Sequence, residues 1–269
     1  MKKIRMYLGL PTMGNVLDAQ VSALRELEQK YGEQIEFVYP EKVVRRVFHD
    51  YARNAIVDEF LASDCDVLWF LDSDVAPPSR VLDLITEHWS RWKIAGAPYP
   101  VFMTPPGESG PQIVFTVYRK HNNKLCPSKI PYKGIDYVDG LATGCLFIKR
   151  EVFEKLEKPY FEFKFRKEDR FMEEGEDLGF CLKTSKLGYQ FFIDYSMVCK
   201  HQKTVCLLEL NNYAIEYANK SVTAYDQTIR SKIQVLEQLV RSKMGSSTQS
   251  KSNIIMPDDL GIPSSGNRR

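Results

Sequence analysis

Five consecutive large apolar residues, Val67-Leu68-Trp69-Phe70-Leu71, run directly into the acidic triplet Asp72-Ser73-Asp74. An extended chain turns successive side chains to opposite faces, so a strand that is apolar at every position must be covered on both. Its neighbours supply the covering. Ile4 to Leu10 reads as a strand ending at Pro11, and Val16 to Tyr31 carries Val16, Ala19, Val21, Leu24 and Leu27 near helical spacing. A strand over Ile35 to Tyr39 and a helix from about Tyr51 to Ala62 continue the alternation of an α/β protein with a mainly parallel sheet flanked by helices. Such sheets bind ligands beyond the carboxyl ends of their strands, which is where the acidic triplet lies.

Further along, Pro77-Pro78-Ser79 predicts the start of a helix that buries Val81, Leu82, Leu84 and Ile85. Residues 98–111 hold five prolines and two glycines and predict an irregular loop, placed where a mobile lid would be useful. Gln112 to Tyr118 alternates as a strand. Tyr118 to Lys133 carries Arg119, Lys120, Lys124, Lys129 and Lys133 with no acidic residue, the pattern of a solvated hairpin. After His201, Leu207 to Tyr217 and then Tyr225, Ile229, Ile233, Leu236 and Val240 predict amphipathic helix. The resulting division is a domain over 1–205, a helical appendage over 206–243 and a tail over 244–269 too poor in apolar residues to order itself.

With 43% hydrophobic residues in 269, the chain can bury a sizeable core. Its 37 basic residues against 35 acidic ones give no overall field that would draw nucleic acid or membrane. The apolar start is broken by Pro11, short of the ~7–15 residues of a signal peptide's apolar region, and no run approaches the ~20 of a spanning helix. Six cysteines without a C-x-x-C pair suit a reducing compartment. The expectation is a soluble, cytoplasmic protein without integral membrane association.

Residues two apart on an extended chain share a side, so Asp72 and Asp74 are expected to face one ligand. With no basic residue close in sequence before Arg80, they suit a hard divalent cation, Mg²⁺ or Mn²⁺. The plainer alternative is a helix cap beside an exposed carboxylate. Glu173, Glu174, Glu176 and Asp177 form a second acidic group, either an acidic first helical turn or a set of like charges that raises one pKa for base catalysis. The chain contains neither G-x-x-x-x-G-K-[ST] nor G-x-G-x-x-G, against a P-loop or dinucleotide enzyme. Tyr99, Trp89 and Trp92 are candidates to stack on a sugar or base, although core packing is the commoner fate of such rings.

Four segments, taken in order, resemble GT-A glycosyltransferases, in particular the family 2 group and the small stand-alone enzymes of bacteria and their phages. YARNAIVDEFLASDCDVLWFLDSD is similar to the family's Arg-Asn helix, apolar strand and D-x-D motif. DGLATGCLFIKREVFEKL resembles its small-residue turn, strand and helix near the acceptor. EEGEDLGFCLKTSKLGYQFFID resembles its E-D motif and following helix, and His201 falls where members place a terminal metal-binding histidine. The resemblance covers about the first three-quarters of the chain. It implies a GT-A fold and a nucleotide-sugar donor, UDP-type favoured, held by Pro11, Thr12, Arg53, Asn54, Asp72, Ser73, Thr143 and Gly144. It further implies Mn²⁺ or Mg²⁺ on Asp72, Asp74 and His201, with Asp177 as general base beside Glu176 if the reaction inverts.

Retention and inversion both stay open at this point. So does the acceptor: a glycan, a protein, a small molecule or a hydroxylated base of phage-type DNA, the last favoured if the basic segment and the arginine-ended tail share a face. Rival readings are a sugar-nucleotide nucleotidyltransferase, disfavoured because GLPTMGNV lacks a basic residue, and a non-catalytic nucleotide- or glycan-binding module. Oligomeric state is open.

Overall fold

The computed structural model describes residues 2–12, 18–40, 48–103, 112–122, 124–128, 134–168, 172–203 and 234. The chain divides into two units, Met1–Lys203 and Thr204–Arg269. The predicted appendage over 206–243 and tail over 244–269 lie outside the described residues, apart from Gln234, which is helical and exposed.

The first unit opens with β1 (Ile4–Gly9), α1 (Asp18–Tyr31), β2 (Ile35–Val38), α2 (His49–Ala62), β3 (Val67–Leu71) and β4 (Val75–Ala76). It continues with α3 (Asp83–Thr86), a 3-10 turn at Trp89–Arg91, β5 (Ile94–Gly96), β6 (Pro100–Met103), β7 (Gln112–Phe115), β8 (Val117–His121) and β9 (Lys124–Pro127). Then come β10 (Ile135–Val138), β11 (Gly140–Leu141), β12 (Cys145–Lys149) and α4 (Arg150–Phe153). The last elements are β13 (Lys164–Phe165), β14 (Met172–Glu174), α5 (Glu176–Lys186), β15 (Phe191–Asp194) and β16 (Lys200–His201).

The described residues form a seven-stranded sheet in the order β10-β15-β5-β12-β3-β1-β2. β1 pairs in parallel with β2 and β3, and β15 in parallel with β5. β12 runs antiparallel between β3 and β5, and β10 is an antiparallel edge. The protein is therefore a mixed α/β fold on a large, mostly parallel sheet. As the apolar run requires, β3 is buried at every position. Trp69 and Leu71 face a layer built with Leu24, Leu27, Leu84 and Ile85, while Leu68 and Phe70 face one built with Ile56, Phe60, Phe153 and Phe180. Across the β3–β12 pair, Trp69 stacks on Phe147 at 5.1 Å between ring centroids. Among the described residues no helix is long and apolar enough to cross a membrane.

Several elements depart from the sequence expectation. The helix predicted from Ser79 shrinks to the single turn α3, although Val81, Leu82, Leu84 and Ile85 are buried as expected. The stretch predicted as irregular contains β6, paired with β7 from Pro100↔Phe115 to Met103↔Gln112; residues 104–111 lie outside the described residues. Pro100 sits at the first strand position, where the missing N–H does least harm. The strand predicted over Gln112 to Tyr118 breaks at Thr116, whose backbone and hydroxyl both bond Tyr99, so β7 and β8 serve different sheets. The basic segment does form a hairpin, β8–β9, turning at Asn122 with φ 47°. Its Arg119 is engaged by Asp136 and by the Tyr137 carbonyl, which removes one cation from the predicted basic surface; Lys129 and Lys133 lie outside the described residues.

Arg150 closes the carboxyl end of α2. Its guanidinium donates to the Phe60 carbonyl (3.0 Å), which also accepts from Ser63, and to the carbonyls of Leu61 (3.2 Å), Ser63 (2.8 Å) and Cys65 (2.9 Å), acceptors that the helix end leaves open. Arg150→Met strands these acceptors and is expected to lower unfolding free energy by about 2–4 kcal/mol. Arg150→Lys, a point donor rather than a fork, recovers less than half; urea titration with an unchanged m-value is the check.

Candidate functional site

β1 and β3 lie side by side, and the chain leaves them toward opposite halves of the sheet, which opens a crevice at their carboxyl ends. Pro11 and Thr12, both buried, form the exit of β1. Asp72 forms the exit of β3. The triplet does not stay extended: Val75 N–H donates to the Asp72 carbonyl at 3.0 Å, closing a turn over Asp72–Val75 with part-buried Ser73 at its corner. Gln20 of α1, wholly buried, clamps this turn by donating to the carbonyls of Asp72 (2.7 Å) and Val75 (3.3 Å). Asp72 N–H in turn donates to the Gly144 carbonyl at 3.0 Å. The turn, rather than strand alternation, sets where the two carboxylates go, and Asp72 and Asp74 meet different partners.

Asp72 meets Arg53. The guanidinium makes a two-pronged pair, Nη1 to Oδ1 at 3.0 Å and Nη2 to Oδ2 at 3.2 Å, and its Nε lies 3.4 Å from Glu176 Oε1. Burial opposes the charge on Arg53, but Asp72 first and Glu176 after it outweigh burial and hold its pKa above the ordinary value. This corrects the reading that no cation neutralises the triplet before Arg80; Arg80 is occupied by Asp83 at 2.8 Å. Asn54 has both ends of its amide in use. Nδ2 donates to the Asp50 and Phe161 carbonyls, each at 2.7 Å, and Oδ1 accepts from the N–H groups of Tyr160 and Phe161. Its observed work is to tie α2 to the 160–161 segment.

Asp74 meets His201. β16 pairs with β4 in the register His201↔Val75, which brings His201 Nε2 to 3.4 Å from Asp74 Oδ2. His201 Nδ1 lies 2.8 Å from the Pro100 carbonyl. A carbonyl only accepts, so Nδ1 donates to Pro100 and Nε2 is the ring nitrogen left facing the carboxylate. Lys203 also donates to Asp74 Oδ2. Partial burial would raise the Asp74 pKa, but hydrogen bonds from His201 and Lys203 overcome it and hold the value at about 2.

The pair fits a hard cation on two counts: an oxygen and an imidazole nitrogen converge, and a cation, the Lys203 ammonium, already stands on the shared oxygen. Among the described residues no group of three or more His, Cys, Asp or Glu side chains could hold a metal. A protein pair is nonetheless enough where substrate oxygens and water complete the shell, as is usual for Mg²⁺.

Glu176 and Asp177 begin α5, where the helix dipole favours negative charge. Glu176 is taken up by Arg53, with His49 Nδ1 at 3.7 Å. Asp177 accepts only a local bond, from Leu178 N–H to Oδ1 at 2.8 Å, among the contacts resolved for it. Burial, then the neighbouring Glu176 charge, push its pKa up to about 6 against the opposing pull of Arg53. Tyr99 joins the two halves of the site. Its ring meets His201 edge-on at 4.9 Å between centroids, its hydroxyl accepts from Gly144 N–H at 3.3 Å, and burial followed by the charges of Asp72 and Asp177 raises its pKa well above normal.

A Cβ at Gly144 would fall 2.6 Å from that phenol, so only glycine admits the ring. Thr143 beside it is buried, and its hydroxyl has no partner among the described residues. Of the other aromatic candidates, Trp92 is a core residue whose indole bonds the Leu84 carbonyl. Trp89 packs on Lys149, which pairs with Val67 at the opposite end of β3 from the triplet. The sequence does not single out Gln20 or Lys203, and it offers Tyr99 only as a ring that could stack on a sugar or base. The available signals were polar or charged groups on otherwise buried stripes and the even spacing of Lys203 from His201.

No family model matches the chain, and no curated protein matches it. Solved structures that resemble it include two at low identity. The crystal structure of A197 from STIV is 23% identical, with 75% of this chain and 86% of that chain covered and a TM-score of 0.49. GalNAc-T7 with UDP, GalNAc and Mn²⁺ is 12% identical, with 76% of this chain and 44% of that chain covered and a TM-score of 0.43. This chain thus matches less than half the length of GalNAc-T7.

Arg53→Met leaves two carboxylates facing each other in a buried site and is expected to destabilise the protein by about 3–5 kcal/mol, read by chemical denaturation. Adding Glu176→Gln removes one of the stranded charges and should return part of the loss. A loss below about 1 kcal/mol would show that the guanidinium does not organise these elements.

Proposed function

We propose that the chain is a divalent-metal-dependent glycosyltransferase of the GT-A kind, moving a sugar from a nucleotide-sugar, UDP-type favoured, to an acceptor hydroxyl. The observation that carries this reading is the convergence, at the carboxyl edge of a mostly parallel sheet, of a cation-fitting pair with a carboxyl group set up for proton transfer. Tyr99 packs its ring on His201 of the pair and feels the charge of Asp177, which supports reading the two as parts of one site. Pro11, Thr12, the 72–75 turn, Thr143 and Gly144 would receive the donor, the Thr143 hydroxyl, without a partner among the described residues, being one group available to it.

Asp74 and His201 would hold the cation, Mn²⁺ or Mg²⁺, which when bound supplies Lewis-acid stabilisation of charge on the departing diphosphate. Asp72, bonded two-pronged to Arg53, would fix the turn that presents Asp74 rather than hold the cation itself. Asp177 would take the acceptor hydroxyl's proton in an inverting transfer. A carboxylate with a pKa near 6 is ionised at neutral pH yet basic enough to draw on the proton as it leaves. Glu176 acts through its charge on Asp177 and its hold on Arg53.

The direct test screens UDP- and GDP-sugars for Mn²⁺-dependent thermal stabilisation and donor hydrolysis, with Asp74→Ala alongside. A donor at 100 times its dissociation constant adds about 2.7 kcal/mol, an easily measured shift. If no nucleotide-sugar stabilises the protein, or the variant responds like the parent, the reading is wrong. Nuclear magnetic resonance of the first-formed product gives the anomeric outcome.

Asp177→Asn should cut transfer at least about 100-fold while leaving the donor-induced stabilisation in place. In the parent, kcat/KM should climb as pH rises through about 6 and then level off, the limb of a base that works ionised. The same pKa predicts a stability effect. Because the folded-state value lies above the unfolded one, the charged form opposes folding, and stability is lost as pH rises from about 4 through about 6. Asp177→Asn should therefore raise Tm at pH 7.5 and change it little at pH 4.5; equal shifts at both would contradict the assignment.

A further inference from the structure

The two partners of Asp74 Oδ2 differ in kind. β16 runs extended beside β4, and Gln202 N–H donates to the Asp74 backbone carbonyl at 3.0 Å, carrying the pairing one residue beyond the strand. On an extended chain His201 and Lys203 share a side while Lys200 and Gln202 take the other. Both His201 and Lys203 accordingly reach the same carboxylate oxygen.

His201 is fixed. Its side chain is 7% exposed, with Nδ1 on the Pro100 carbonyl and the ring against Tyr99. Lys203 is not held in this way: its side chain is 61% exposed, and no contact beyond Asp74 is resolved for its ammonium. A four-carbon stem carrying a strongly hydrated charge can leave for water at small cost, since an exposed ion pair is worth only about 0.2–1 kcal/mol.

We propose that Lys203 is a tethered competitor for the cation position: its ammonium occupies Asp74 Oδ2 when no metal is bound and must swing away before a divalent cation can take that oxygen with His201. This inference rests on the proposed metal role of Asp74 and His201. The reasoning is electrostatic. An ammonium in contact with the oxygen and a dication on the same oxygen would be like charges within a few ångströms, so the two states exclude each other. The apparent affinity for metal is the intrinsic affinity multiplied by the fraction of molecules in which Lys203 has left. The pair stays satisfied without metal, and a monovalent ion, which gains less on the carboxylate than a dication does, displaces the tether poorly.

Titrating Mn²⁺ into the full chain by calorimetry, with no donor present, tests this. Lys203→Gln should tighten Mn²⁺ binding by about fivefold, the equivalent of a 1 kcal/mol ion pair, and Lys203→Arg should keep the parental value. Lys200→Gln, which makes the same change in net charge on the opposite side of the strand, should leave binding unchanged. Asp74→Asn should abolish it. In parallel, acylation of the Lys203 amine by an N-hydroxysuccinimide ester, read by peptide mass spectrometry, should rise when Mg²⁺ is added to the parent and not when it is added to Asp74→Asn. If Asp74→Asn abolishes binding but Lys203→Gln leaves it unchanged or weaker, the competitor role is overturned and the metal role stands. If Lys200→Gln tightens binding as much as Lys203→Gln, the effect is one of general charge and the role is again overturned. Mn²⁺ binding that survives Asp74→Asn, or is absent from the parent, overturns both.

Discussion

The guanidinium of Arg53 is the point on which the site turns. It sits on the buried stripe of α2 that also contains Ala52, Ile56, Val57 and Phe60, where an unpaired charge would not be tolerated. Two carboxylates from distant segments meet it, Asp72 at the end of β3 and Glu176 at the start of α5, with side chains 24% and 9% exposed. One charge thereby fixes three elements that share no sequence neighbourhood. Since breaking a buried pair costs far more than making it gains, the arrangement serves placement better than net stability. It sets the 72–75 turn and the first turn of α5 against each other at a definite angle, leaving Asp74 and Asp177 as the acidic groups of these segments that are not spent on Arg53.

The sheet and its covering were legible because their signals are local and periodic. The uninterrupted β3 run required two covering layers, and the spacing in α1 and α2 located helices that end within one or two residues of expectation. The candidate site was legible as a list of residues but not as a division of labour. Alternation, correct for the strand, was carried one step too far into a tripeptide that turns. The cations that answer Asp72 and Asp74 come from 19 residues before and 129 residues after them, distances at which sequence holds no pattern. Arg53 could have been flagged as buried from its place on the α2 stripe, but its partners could not. Tyr99 was visible as a candidate stacking ring but not in its contacts, because these depend on a close approach to Gly144, and close approach is a property of packing rather than of composition.

Three aspartates in this crevice carry the same carboxyl group into three different conditions. Asp72 is locked onto a guanidinium, Asp74 is held near pKa 2 by an imidazole and an ammonium, and Asp177 is lifted to about 6 by burial and by Glu176. Separation of this kind is how one set of residues divides cation binding from proton transfer at a single pH. The separation also depends on the excess of negative charge. Among the described residues, Asp72 and Glu176 are paired with Arg53 and Asp74 with Lys203, and Lys203 is the exposed one of these two cations. A dication entering at Asp74 would relieve that excess, and by lowering the local negative potential it would also draw the Asp177 pKa down from its elevated value. The proton-accepting group would then be most basic before the cation binds and more fully ionised afterwards. On the proposed function, metal entry and readiness for proton transfer would in this way be linked through charge.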